Sequence, residues 1–168
     1  MNPVTASSGA ELPFGLKAAA LPLSPGPFAL AIAVRWADLD PNGHVRHSAY
    51  LDYAAQIRIA YFASCGFDLK TLAARRIGPI LFSETIHYRR ELRDNETVTA
   101  DLWLRGLSVN GKHWRIAHRL FKADGALAAE LDCRGAWLDL AARRVAVPPA
   151  DLLAALAAVP RSADFAPL

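Results

Sequence analysis

Between positions 38 and 47 the chain reads Asp38-Leu39-Asp40-Pro41-Asn42-Gly43-His44-Val45-Arg46-His47, which gathers two carboxylates, two imidazoles and a glycine into one short segment. Three chemistries suit those residue types. The first is a calcium loop, because Asp38, Asp40, Asn42 and Gly43 match the opening of an EF-hand. Ala49, however, stands where the bidentate glutamate belongs, and the segment ahead of the loop reads as a strand, not a helix. The second is a transition-metal site built from Asp38, Asp40, His44 and His47. Their spacing alone does not bring four donors to one point, and histidines lining a helix start account for the same residues. The third uses a helix start directly: unpaired backbone N–H groups polarise a carbonyl oxygen while a carboxylate just upstream acts as base or nucleophile.

That third chemistry needs a strand before the loop and a helix after it. Phe28, Leu30, Ile32, Val34 and Trp36 alternate with Ala29, Ala31, Ala33, Arg35 and Ala37, the period of two expected of a strand. From Ser48 the period changes. Tyr50, Tyr53, Ala54, Ile57, Ala60, Tyr61 and Ser64 recur at three- and four-residue steps, with Gly66 placed to stop them, so residues 48–65 are expected to form one long helix. Ile59 and Phe62 lie off that stripe and predict a helix covered over most of its circumference. A shorter helix is expected over residues 68–76, ended by Gly78-Pro79.

The second half reads as antiparallel sheet. Alternation over residues 86–93, 98–104, 114–120 and 127–138 predicts four strands, with Asp94-Asn95-Glu96, Asn110-Gly111 and Asp124-Gly125 marking turns. A last helix is expected over residues 149–159, with Pro149 near its first turn, where a missing N–H costs little. Strand, long helix, then a run of strands makes an α+β domain over residues 28–168, the helix covering one face of the sheet. Residues 1–27, with Pro3, Pro13, Pro22, Pro25 and Pro27, read as an irregular Ala/Pro-rich extension.

Composition narrows the function classes. The chain has 168 residues, of which 53% are hydrophobic and 21% charged, enough apolar material for a packed core without disulfides. Nineteen Lys and Arg against 16 Asp and Glu leave a net charge of +3 that is spread along the chain, which disfavours a nucleic-acid role. Cys65 and Cys133 have no zinc-like spacing. No stretch reaches the roughly 18 apolar residues of a membrane span, and no export leader is read, so a cytoplasmic, non-membrane protein is expected.

Arg35-Trp36-Ala37-Asp38-Leu39-Asp40-Pro41-Asn42-Gly43-His44-Val45, then Ala49-Tyr50-Leu51-Asp52-Tyr53 and Tyr61-Phe62, resembles the hotdog-fold acyl-CoA thioesterases of the 4-hydroxybenzoyl-CoA thioesterase type. The likeness continues more weakly through Gly78-Pro79-Ile80, Ile86-His87-Tyr88 and the closing strands. It implies a hotdog fold, an antiparallel sheet wrapped around one long central helix. It also implies that Asp40 is the catalytic carboxylate, attacking the thioester carbonyl or activating the water that does, and that the backbone N–H of His47 holds the carbonyl oxygen. His44 is a candidate for orienting Asp40, or else it satisfies the loop backbone. Neither a metal nor an organic cofactor is implied. The partners implied are an acyl-CoA or acyl-carrier-protein thioester and further copies of the chain, as a dimer or tetramer with the site between subunits.

Lys112, and more weakly Arg115 and Arg134, resemble residues that meet the coenzyme A phosphates, while Tyr50 and Gln56 are further candidates for substrate binding. Relatives often carry glutamate near Gln56; glutamine cannot be a base, so the chemistry rests on Asp40. Asp52 is spaced to hydrogen-bond Gln56. Arg46 and His47 replace the asparagines common after Gly-His-Val, which leaves the acyl group open. A non-catalytic hotdog dimer that binds acyl thioesters or serves as a scaffold is the alternative. A hydratase of the same fold fits less well, because Asp40, Pro41, Asn42 and His44 occur in a different order from the hydratase motif.

Overall fold

The computed structural model describes residues 27–168, so the proposed extension over residues 1–27 lies almost wholly outside the described residues. The elements run β1 (Phe28–Ala33), α1 (Ala49–Ser64), α2 (Leu69–Ala74), β2 (Ile77–Tyr88), β3 (Thr97–Leu107), β4 (His113–Phe121), β5 (Leu127–Asp139), β6 (Arg144–Ala146), α3 (Ala150–Ala157) and β7 (Arg161–Pro167). The five main strands lie in the order β1-β3-β4-β5-β2 and are antiparallel, with β6 added to β5. The long helix α1 packs across β1, β3 and β5. This is the α+β hotdog architecture, a sheet curled about one helix.

Strand alternation places the core. Leu30 and Ile32, Val98 to Leu104 at every second position, and Ile116, Leu120, Leu131 and Cys133 are buried on the face toward α1. From the helix come Tyr53, Ala54, Ile57 and Tyr61. Gly125, at φ +82°, closes the turn between β4 and β5 in the left-handed region that glycine enters without strain.

Four local expectations need correction. The first strand stops at Ala33, and Trp36 opens a 3₁₀ turn with 83% of its surface exposed, because Arg35 and Asp38 tie the chain into that turn. Gly78-Pro79 does not end a helix but sits inside β2, which starts at Ile77 and stops at Tyr88, so residues 89–93 are irregular. Proline is tolerated there because β2 is the edge of the main sheet, with β5 on one side only. Asp52 turns to Arg46 and not to Gln56. Finally, β6 and β7 add to the four strands expected after the helix, and β7 runs parallel to β3, continuing the lane that β1 leaves empty.

Candidate active site

The junction between β1 and α1 is organised by Asp38, which is fully buried. Its carboxylate accepts from Arg35 Nε at 3.0 Å, Arg35 Nη2 at 2.7 Å and the Tyr53 hydroxyl at 3.0 Å, while its own carbonyl accepts from Arg46 N–H at 2.8 Å. The Arg35 hydrogen bonds hold the Asp38 carboxyl below the usual carboxylate range. Burial, with Asp38 next to it, pushes the Tyr53 hydroxyl well above its ordinary pKa, so it remains a donor. Asp38 is thus a saturated structural carboxylate.

Asp40, two residues on, is only partly buried. Its Oδ1 accepts from the backbone N–H groups of Asn42 at 2.8 Å and His44 at 3.2 Å, and these bonds, His44 first, hold the carboxyl below its ordinary pKa. Gly43, at φ +78°, gives the tight turn that aims those amides. Oδ2 has no hydrogen-bond partner among the described residues. The result is an ionised carboxylate with one oxygen anchored and one free.

Arg46 staples the end of the loop to α1: Nη1 donates to the Ala37 carbonyl at 2.7 Å, Nε to Ser48 Oγ at 3.0 Å and Nη2 to Asp52 at 3.2 Å. Ser48 precedes α1 without capping it through its side chain. The backbone N–H groups of His47 and Ser48 meet no acceptor among the described residues, which leaves two donors at the positive end of a sixteen-residue helix.

Asp40, His44, His47, Tyr50, Tyr88 and Glu91 share one open depression of about 400 Å³. Tyr50 forms its floor and packs edge-on against Tyr88, ring centres 5.2 Å apart. The Tyr88 hydroxyl donates to the His47 carbonyl at 3.1 Å, fixing the peptide that follows. His44 directs Nε2 to Glu91 at 3.0 Å, so it touches Asp40 through its backbone and not its ring. Asp38, Asp40, His44 and His47 therefore face different partners and do not converge.

The remaining predicted residues lie elsewhere. Gln56 lines neither this depression nor a second, apolar recess under the far side of α1. Arg115 is bound bidentately to Asp132, with Nε 2.7 and 2.8 Å from its two oxygens, and Arg105 shares that carboxylate. Lys112, at the start of β4, has no carboxylate partner among the described residues, and neither has the exposed Arg134.

Two features were not singled out from the sequence. Tyr88, noted only within the weaker likeness at Ile86-His87-Tyr88, and Glu91 complete the depression. Beneath the middle of α1, Arg58 meets His118, Cys133 and Glu84 in a buried polar cluster; four residues so far apart in sequence leave no spacing to read.

The profile of the thioesterase-like superfamily matches residues 34–156. No curated protein matches the chain in sequence. Among solved structures, a hypothetical protein of Staphylococcus aureus in complex with CoA superimposes with a TM-score of 0.73 at 20% identity, over 79% of this chain and 82% of that one. A hypothetical protein of Thermus thermophilus gives 0.71 at 26% identity over 78% and 98%. The 1,4-dihydroxy-2-naphthoyl-CoA thioesterase of Synechocystis gives 0.70 at 16% identity over 79% and 96%.

Proposed function

The chain belongs to the thioesterase-like superfamily, and we propose that it hydrolyses an acyl thioester of coenzyme A or of an acyl carrier protein to the free acid and the thiol. The observation that carries this reading is the pairing, in one depression, of a half-anchored ionised Asp40 with unbonded N–H groups at the start of α1. The thioester carbonyl oxygen is held by His47 N–H, where the helix terminus favours the negative charge that develops as the carbonyl carbon becomes tetrahedral. Asp40 either adds to that carbon, expelling the thiolate and leaving an anhydride that water opens, or takes a proton from the water that adds. Either route ends at acid and thiol and uses only this chain's groups and water.

Tyr50 and Tyr88 give the acyl group an aromatic floor, and Lys112 and Arg134, neither with a carboxylate partner among the described residues, meet the phosphates of the carrier. Arg115 is the weaker candidate because Asp132 already holds it. A homodimer formed along β2 belongs to the same proposal. That strand is long, its outer edge has no pairing strand among the described residues, and it exposes Leu81 and Phe82, which supports pairing with a second copy.

The test is release of free thiol from a panel of aliphatic and aromatic acyl-CoAs, with Asp40→Ala as control. Turnover in the parent chain that disappears in the variant is expected. Turnover that survives removes Asp40 from its role, and saturable CoA binding without turnover favours a non-catalytic acyl-thioester-binding protein.

A further inference from the structure

We infer that the apolar recess between α1, α2 and the sheet reads an acceptor oxygen on the acyl group through two donors, the indole N–H of Trp114 and the guanidinium of Arg58. The inference rests on the thioester reading above and extends it to specificity.

The recess is about 190 Å³ and is walled by Phe62, Leu72, Leu81 and Ile116. That is smaller than the ~300 Å³ at which ordinary small-molecule pockets begin, so it suits one end of a ligand and not the whole. Among its lining side chains only Arg58 and Trp114 carry polar hydrogens. Trp114 is 3% exposed, and its Nε1–H is buried with no acceptor in the described residues. Folded chains rarely leave such a donor unmade, and one that borders a recess points to an acceptor arriving from outside. Trp137 has the same unmet N–H but is part of the core; Trp114 is the one that lines the recess.

The indole is held there by the backbone beneath it. A Cβ at position 135 would fall 2.3 Å from the Trp114 ring, so glycine is what lets the ring lie across β5. Arg58 is equally fixed. Its Nη1 reaches His118 Nε2 at 3.2 Å and Cys133 Sγ at 3.0 Å, and its Nη2 reaches Glu84 at 3.3 Å, while its Nε–H has no acceptor among the described residues.

Charge then narrows the ligand. Glu84 balances Arg58, burial together with Arg58 pushes His118 down to about 3 so that it stays neutral, and burial pushes the Cys133 thiol up to about 12. The recess is neutral overall and offers donors only. An uncharged acceptor oxygen, as in an oxo, ether or hydroxyl group, satisfies it; a carboxylate would lose its hydration against an arginine that is already paired. The recess shares no lining residue with the Asp40 depression of the same chain, and it opens beside the unpaired edge of β2 through exposed Ile59 and Leu81. As part of the same proposal, the reactive loop of the second copy in the homodimer is the one that serves it.

The experiment compares 5-oxohexanoyl-CoA with hexanoyl-CoA, which differ by one carbonyl in place of a methylene. A kcat/KM preference of about tenfold for the oxo substrate is expected, collapsing toward unity in Trp114→Phe, which keeps the ring and loses the donor. Because that variant could fail to fold, the parent chain is also read by ¹⁵N NMR. The Trp114 indole resonance is expected to move on adding the non-hydrolysable thioether 2,6-dioxoheptyl-CoA and to stay put with 2-oxoheptyl-CoA. Equal rates for the two substrates, or a resonance that ignores both thioethers, overturns the inference. A resonance that moves only on dilution overturns it too, since a second copy would then fill the recess. Absence of turnover with every acyl-CoA defeats the thioesterase reading alone, because the NMR titration needs no hydrolysis.

Discussion

The loop that leads into α1 and the cluster beneath the middle of the same helix use charge in opposite ways. Under the helix, the guanidinium of Arg58 is gripped by three side chains from three strands, and only its Nε–H is left without an acceptor among the described residues. In the loop, Asp40 is anchored through one oxygen while its other oxygen and the amides of His47 and Ser48 have no partner among the described residues. Saturation makes a group structural, and incomplete satisfaction leaves it available for a substrate. Asp38 shows that the distinction is not one of location. It lies in the loop, yet both of its carboxylate oxygens are partnered.

The largest effect that would break this contrast comes from Asp40. Asp40→Asn keeps the acceptor that Asn42 and His44 use and removes the base, so thioester hydrolysis should fall about 10²- to 10⁴-fold while the melting temperature holds. Parallel losses of activity and stability would place Asp40 with the structural carboxylates. Its lowered pKa adds a pH dependence: activity should persist down into the acid range and fall only as pH drops below the ordinary carboxylate value of 3.8 toward the folded one.

Arg58 is expected to behave in the reverse manner. Arg58→Met leaves Glu84 without its cation and removes the donor that His118 Nε2 and Cys133 Sγ share. With side chains only 11% and 21% exposed, the loss should be about 2–3 kcal/mol by denaturant titration, below the full value for a buried pair because Glu84 keeps some water. A change under about 0.5 kcal/mol, the size of a surface substitution, would mean that the cluster is not closed to water in solution.

How far this contrast was visible in the sequence depends on whether partners are near or far along the chain. The loop was legible because strand, turn and helix are contiguous, and Asp40 falls between the alternating strand before it and Gly43 and the change of period at Ser48 after it. The helix was placed to within a residue at each end. What stayed hidden depends on tertiary pairing. The first half of β2 carries Gly78-Pro79, a local stop signal overridden because the strand needs ladder bonds on one side only. The β7 segment Arg161–Pro167 has no alternation and is a strand because the edge of β3 beyond Leu102 is open to it. Asp38 differs from Asp40 through its partners, Arg35 three residues before it and Tyr53 fifteen residues after it, and only the first is near in sequence.

A finer test concerns acid stability. His118 is buried with its pKa lowered from 6.5 to about 3. Between those values the unfolded chain binds a proton that the folded chain refuses, so unfolding becomes easier as pH falls through that window. The Asp38 carboxylate is also lowered, but its contribution is intact above its unfolded value of 3.8 and is lost only below it. Urea titrations from pH 7 to 4 therefore report His118 with little interference from Asp38. His118→Asn should flatten the decline. An unchanged slope would mean that the cluster admits water and a proton.

The smallest expected effect lies on the outer face of the sheet, where Arg89 meets Glu130 at 2.9 Å with both side chains about half exposed. This pair has the geometry of the Arg58 contacts without their burial. Water screens the two charges and holding both side chains in one pose costs entropy, so Arg89→Ala should change stability by no more than about 0.5 kcal/mol. Salt should erase even that, because exposed charges are screened over about 10 Å at 0.1 M. Arg89 also lines the Asp40 depression, so a rise in KM with stability unchanged would mark it as a substrate contact. A stability loss equal to that of Arg58→Met would instead show that number of partners, and not burial, decides which charges hold this fold.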